Sequence, residues 1–260
     1  MNAYLVAARY SLLELARNRL AVVVLLCLVP MLIWLVDTVV TEEALNFRHR
    51  STDTHIEAPG HQVTMVGCVL NLVTLLVGFA MFTASHRSGD FDRRLAQAGY
   101  PRAALILAKL TMLVVASGAV SGYTTAWAAW HWTAQQPLLL CAGMFLGGTA
   151  YGAIGLFLAL FLPEELEGAF VIIVATVIDN VVQNPIINPT ADADAVLFLP
   201  GYGAMQVCLA GAFTDTVPLS SMLLSLGWTV MFGVIALGAF AMRTRDRAPS
   251  PVAGRQGGTV

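Results

Sequence analysis

Charge is scarce in this sequence. Asp, Glu, Lys and Arg make up 12% of its 260 residues, about half the share of a soluble domain. Lysine is nearly absent: Lys109, in "ILAKL", is the only one. That excludes a G-x-x-x-x-G-K-[ST] loop, in which backbone N–H groups and a lysine hold nucleotide phosphates. The chain is therefore expected to hydrolyse no ATP by that route and to bind no cofactor of its own. G-x-S-x-G and H-E-x-x-H are also missing, so no catalytic residue is assigned. Cys27, Cys68, Cys141 and Cys208 are too scattered for a metal or redox motif, and they read as free, buried, small apolar side chains. A net charge of −2 offers no basic surface to nucleic acid.

What fills the sequence is apolar: 57% of residues are hydrophobic and mean hydropathy is +0.73. Crossing about 30 Å of hydrocarbon takes roughly 20 such residues in a helix. Six segments meet or approach that length: about 20–40, 63–84, 103–130, 138–162, the short 169–183, and 219–242. The expected fold is an all-α polytopic membrane protein with six transmembrane helices in one domain, residues 1–242. Pro30, inside the first span, is tolerable where a neighbouring helix re-satisfies the backbone. Residues 2–18 repeat Leu5, Ala8, Leu12 and Leu15 at helical spacing between Arg9, Glu14 and Arg17. They predict an interfacial helix, retained and not cleaved as a leader. The Arg-, Pro- and Gly-rich residues 243–260 read as a disordered tail.

The basic residues fix an orientation. With the N-terminus in the cytoplasm, twelve Lys and Arg side chains fall inside, and only Arg48 and Arg50 fall outside. The positive-inside rule thus puts both termini in the cytoplasm, with the cell membrane as the location. Outside lie residues 41–62 and 184–218; inside lie 85–102 and 163–168. His49, His55 and His61 are spaced by six, and residues 41–62 read as a polar, mobile loop and not a metal site. In "HRSGDFDRRLAQAGYP", Ser88 and Gly89 are expected to break the second span. Asp90 and Asp92 then open a short charged helix, 90–97, that Gly99 stops. The outer run "LFLPGYGAMQVCLAGAF" is too short and interrupted to span, and predicts a re-entrant pair of short helices.

The surface helix, the "HRSGDFDRRLAQAGYPRAALILAKL" loop and the long outer segment "NPIINPTADADAVLFLPGYGAMQVCLAGAFTD" together resemble the permease subunits of type-2 ABC exporters over nearly the whole chain. His86 departs from the acidic residue that many members carry there. The resemblance implies that helix 90–97 is a coupling helix seated in a separate ATP-binding subunit. Arg87, Asp90, Phe91, Arg93 and Arg94 would make that contact, and Glu164 and Glu165 in "LPEELEG" a second one. It implies two copies of the ATPase, which bind ATP and Mg, and a second permease copy. It also implies an outer gate, to which Phe198, Tyr202 and Met205 are assigned. Cargo would be hydrophobic or amphipathic: a drug, a lipid-like molecule or a peptide.

Polar groups inside spans are costly and mark either helix–helix hydrogen bonds or a pathway. Asn71, Tyr123, Asp179 and Asn180 are the candidates, and both readings stay open for them. Gly118/Gly122, Gly143/Gly147 and Gly148/Gly152 have the spacing that lets helix backbones approach closely, which is expected to occur within the subunit. Two other classes of function remain: a gradient-driven carrier or channel, and a six-span membrane enzyme. The enzyme would need ionisable residues clustered at one membrane depth, which the sequence does not display.

Overall fold

The computed structural model describes residues 3–17, 19–51, 53–184, 186–188 and 193–245. In chain order the elements are α1 (Ala3–Arg17), α2 (Arg19–Val39), β1 (Ala44–His49), β2 (Thr54–Pro59), α3 (Gly60–Gln97), α4 (Arg102–His131), α5 (Pro137–Phe161), α6 (Glu165–Gln183), a 3₁₀ turn (Asp194–Phe198), α7 (Tyr202–Phe213) and α8 (Leu219–Arg245). Five helices are long and apolar enough to cross a membrane: α2, α3, α4, α5 and α8. This is the architecture of an all-α membrane protein. The predicted fifth span is helical, but α6 carries Glu165, Glu167 and Asp179 in 19 residues and is not among the five.

Helix α5 is the centre of the bundle, with α3, α4, α7 and α8 packed around it. Its glycines explain why. A Cβ at Gly143 would overlap Cys208, one at Gly147 would overlap Leu70, and one at Gly152 would overlap Leu113. Each glycine therefore lets a different neighbour come closer than any side chain would permit. Gly118 and Gly122 behave differently. Nothing lies within 4 Å of a Cβ built at either, so the expected close packing within the subunit does not occur there.

Helix α2 stays continuous through Pro30. Proline has no N–H for the carbonyl four residues earlier, which is Leu26. The Tyr123 hydroxyl on α4 donates to that carbonyl at 3.1 Å. Tyr123, read as a pathway or packing residue, thus sits where it mends the proline defect. Tyr123→Phe is expected to cost about 1–2 kcal/mol, since a membrane-buried carbonyl loses its partner. Thermal unfolding of the solubilised variant measures this, and an unchanged midpoint would refute it.

Three expectations are corrected. Ser88 and Gly89 do not break the second span: α3 is one helix of 38 residues, about 57 Å at 1.5 Å per residue. An isolated glycine in a helix costs only about 1 kcal/mol, and the surroundings hold this stretch together. Ser88 Oγ donates to Asp92 Oδ2 at 3.1 Å, and Lys109 Nζ on α4 reaches Asp92 Oδ2 at 2.8 Å. The stop itself is where the sequence puts it. Gly99 has φ +90°, and the Tyr100 N–H bonds back to the Leu95 carbonyl at 3.0 Å, closing the helix with a left-handed glycine. Second, residues 41–62 are not a loose loop. β1 and β2 form an antiparallel hairpin, Ala44 opposite Pro59 and His49 opposite Thr54, and Ile56 and Ala58 are buried. Third, α8 continues to Arg245, so the tail does not begin at 243; residues 246–260 lie outside the described ones. Of the four free cysteines, only Cys208 is fully buried, and Cys27 is exposed.

Candidate functional site

Two groups of predicted residues come together, at different levels of the bundle. The first is at the end carrying Arg17, Arg87, Arg93 and Arg94. Arg87, on the charged extension of α3, makes a two-pronged pair with Glu165 at the start of α6: Nε to Oε1 at 2.7 Å and Nη2 to Oε2 at 3.1 Å. This hydrogen bonding holds the Glu165 carboxyl below its ordinary range. Both partners are solvent-accessible, so the pair contributes at most about 1 kcal/mol. What it does is join the two segments proposed to face a partner. The helical period then sorts the rest. Asp92 and Ala96 point into the bundle, while Asp90, Phe91, Arg93 and Arg94 are exposed. Phe91 is 63% exposed and Leu166, between Glu164 and Glu167, is 80% exposed. Both are large apolar side chains left exposed on segments that carry charges of both signs.

The second group lies deep between α3, α5, α6 and α7. Asp179 on α6 accepts from the Tyr151 hydroxyl at 2.6 Å and from the Gly201 N–H at 2.7 Å. Gln183 Nε2 donates to its other oxygen. Asn180 Nδ2 donates to the Gly67 carbonyl at 2.6 Å, and Asn71 Nδ2 to the Thr176 carbonyl at 3.4 Å. A void of about 20 Å³, room for one water, is lined by Asn71, Thr176, Asp179, Asn180 and Gln183. Asn71, Asp179 and Asn180, scattered over more than a hundred positions, therefore share one polar cluster. Tyr123 is not part of it. Tyr151, Gln183 and Gly201 belong to the cluster and escaped the sequence reading. A "Tyr" inside a glycine-rich apolar helix was the one available signal.

The geometry gives Asp179 a definite task. Gly201 immediately precedes α7, and a Cβ there would overlap the Asp179 carboxylate. A carboxylate at a helix N-terminus satisfies a free N–H and meets the positive end of the helix dipole. Asp179 thus fastens the start of α7 to α6. Of the three residues assigned to an outer gate, Tyr202 and Met205 follow this junction and are buried, while Phe198 is 77% exposed on the 3₁₀ turn.

The hairpin closes the same segment from the other side. His49 is fully buried, and its Nε2–H donates to the Gln206 carbonyl of α7 at 3.0 Å. Ser51 Oγ donates to Gln206 Oε1 at 3.2 Å, and Arg50 pairs with Asp194. Burial pushes the His49 imidazole below its ordinary value of 6.5. The neutral ring therefore contributes stability fully above pH 6.5, and that contribution is lost as pH falls below it toward the lowered folded value. The melting temperature of the purified chain is expected to drop between about pH 7 and pH 5, with a smaller drop in His49→Gln. Equal drops in both would dismiss His49 as the cause.

A scan against protein-family models and a search of curated proteins each return no match.

Proposed function

We propose that the chain is the membrane-spanning subunit of an ATP-driven exporter of the type-2 ABC class, with α6 as a sixth span. The observation that carries this reading is the Arg87–Glu165 junction. It ties the charged end of α3, with its exposed Asp90, Phe91, Arg93 and Arg94, to the start of α6, with the exposed Glu164, Leu166 and Glu167, at the most basic end of the bundle. By the positive-inside rule that end is cytoplasmic, where an ATPase would dock. The α3 extension replaces a separate coupling helix. The exposed stripe Phe170, Ile173, Val174, Val177, Ile178 and Val181 on α6 suits hydrocarbon or a second permease copy, as a sixth span requires. Hydrophobic or amphipathic cargo fits a bundle whose interior is almost uncharged.

The test is a mild-detergent pull-down of the tagged chain from its native membranes, with an ATPase assay on what co-purifies. A P-loop ATPase is expected in near-equal amount, and Arg93→Glu/Arg94→Glu is expected to lose it while the chain still inserts and folds. A chain that comes down alone, without ATP hydrolysis, would overturn the reading.

One observation favours a second reading, a gradient-driven carrier: the Asp179 cluster sets a buried carboxylate and three side-chain amides around a water-sized void, the kind of group that ion-coupled carriers place within their spans. Transport by reconstituted chain alone, abolished by an ionophore and indifferent to ATP, would establish that reading in place of the first.

A further inference from the structure

A groove of about 990 Å³ runs between α1 and α3. On α3 it extends from Ala80 to Leu95, and on the other side from Val6 to Arg17 and Arg19. The span of α3 that it covers is informative. The apolar run of α3 ends near Ala84, and charge begins at His86. The groove therefore crosses from an apolar level to a charged one. Toward its apolar end the α3 side of the groove is lined by Ala80 and Ala84, both short, which leaves a slot. The ionic balance of the lining is uneven. Arg87 is matched by Glu165 and Asp92 by Lys109. That leaves Arg17 and Arg19, neither with a carboxylate partner among the described residues, against Glu14 alone. Tyr10 stands at the rim, 69% exposed, where aromatic rings mark the level of lipid headgroups.

We propose that this groove binds an anionic phospholipid, with an acyl chain in the Ala80–Ala84 slot and the phosphate on Arg17 and Arg19. The occupant must be apolar at one end and anionic at the other. It must also reach the groove from the bilayer, beside which an interfacial α1 would lie. A basic pocket between membrane helices on the cytoplasmic side meets these conditions for an anionic headgroup. Lipid bound here bridges α1 to α3, two helices that otherwise touch sparingly. The proposal rests on membrane insertion alone and not on coupling to an ATPase.

The full chain is reconstituted in nanodiscs of equal parts phosphatidylglycerol and phosphatidylcholine, re-extracted in mild detergent, and its retained lipid identified by native mass spectrometry. Phosphatidylglycerol is expected to be retained over phosphatidylcholine. Arg17→Ala/Arg19→Ala is expected to lower that retention on the order of tenfold. Arg9→Ala/Arg102→Ala, which removes the same charge at the same end but outside the groove, is expected to leave it unchanged. Ala84→Leu, filling the slot with an apolar side chain, is expected to lower retention without altering charge. Equal retention of the two lipids by the unaltered chain, equal losses in the two arginine pairs, or displacement of the lipid by inorganic phosphate alone would each overturn the proposal. None of these outcomes bears on whether an ATPase co-purifies, so the two readings fail separately.

Discussion

Asp179→Ala is expected to lower the stability of the purified protein by about 3–5 kcal/mol, from the three donors it strands. The Tyr151 hydroxyl, the Gly201 N–H and the Gln183 amide all converge on this one carboxylate, and the adjoining void has room for a single water, too few to serve all three. Tyr151 keeps a weaker alternative, the Ala175 carbonyl at 3.3 Å; among the described residues the Gly201 N–H has only Asp179. The loss should therefore be uneven. The start of α7 comes away first, so a protease site placed in the 3₁₀ turn should be cut many times faster in the variant. Asp179→Asn should fall between the two, because its carbonyl can serve Gly201 while its amide faces another donor. Global melting and limited proteolysis together check this. A variant that melts and digests like the unaltered chain would show that the carboxylate does not hold α7.

Gly155→Val is expected to be worse, above about 4 kcal/mol and expressed as failure to yield a monodisperse protein. A Cβ at 155 would overlap the carbonyl oxygen of Gly78 on α3. Backbone cannot swing aside as a side chain can, so the two longest-packed helices would have to separate. Gly122→Ala is the control. Nothing lies within 4 Å of its Cβ, and alanine favours the helix by up to about 1 kcal/mol over glycine. Size-exclusion profiles of the two variants should diverge completely. A well-behaved Gly155→Val would refute the α3–α5 contact.

These two cases show where sequence was informative. The spans were legible because runs such as residues 138–162 leave few alternatives, and the Gly99 stop because Gly-Tyr-Pro is local chemistry. The α3 break was misjudged for a non-local reason: Lys109, twenty residues past Gly89, secures Asp92 and Ser88 and carries the helix through. The hairpin was readable in hindsight from the alternation of Leu45, Phe47 and His49 on one side of "RSTD". The even spacing of the histidines drew attention away from that period of two. Glycine spacing identified close contacts on α5 but gave the same signal on α4, where Gly118 and Gly122 face outward. A motif records what a helix could do, and only the neighbour decides whether it does. The polar cluster was beyond reach, since nothing in the order of the chain brings Asn71 to Asp179 or Gly201 to both.

The unbroken α3 has a mechanical consequence. Its first residue is tied to the hairpin through the Gly60 N–H and the Glu43 carbonyl at 2.9 Å, and its other end carries Arg93 and Arg94. Gly78, where α3 crosses Gly155, lies midway between. A helix of about 57 Å resting on a tight central contact is a lever on a fulcrum. Each 5° of tilt moves both ends by about 2.5 Å in opposite directions, from that length. A push on the basic end thus arrives at the hairpin, and through His49 at α7, without any joint in between to absorb it.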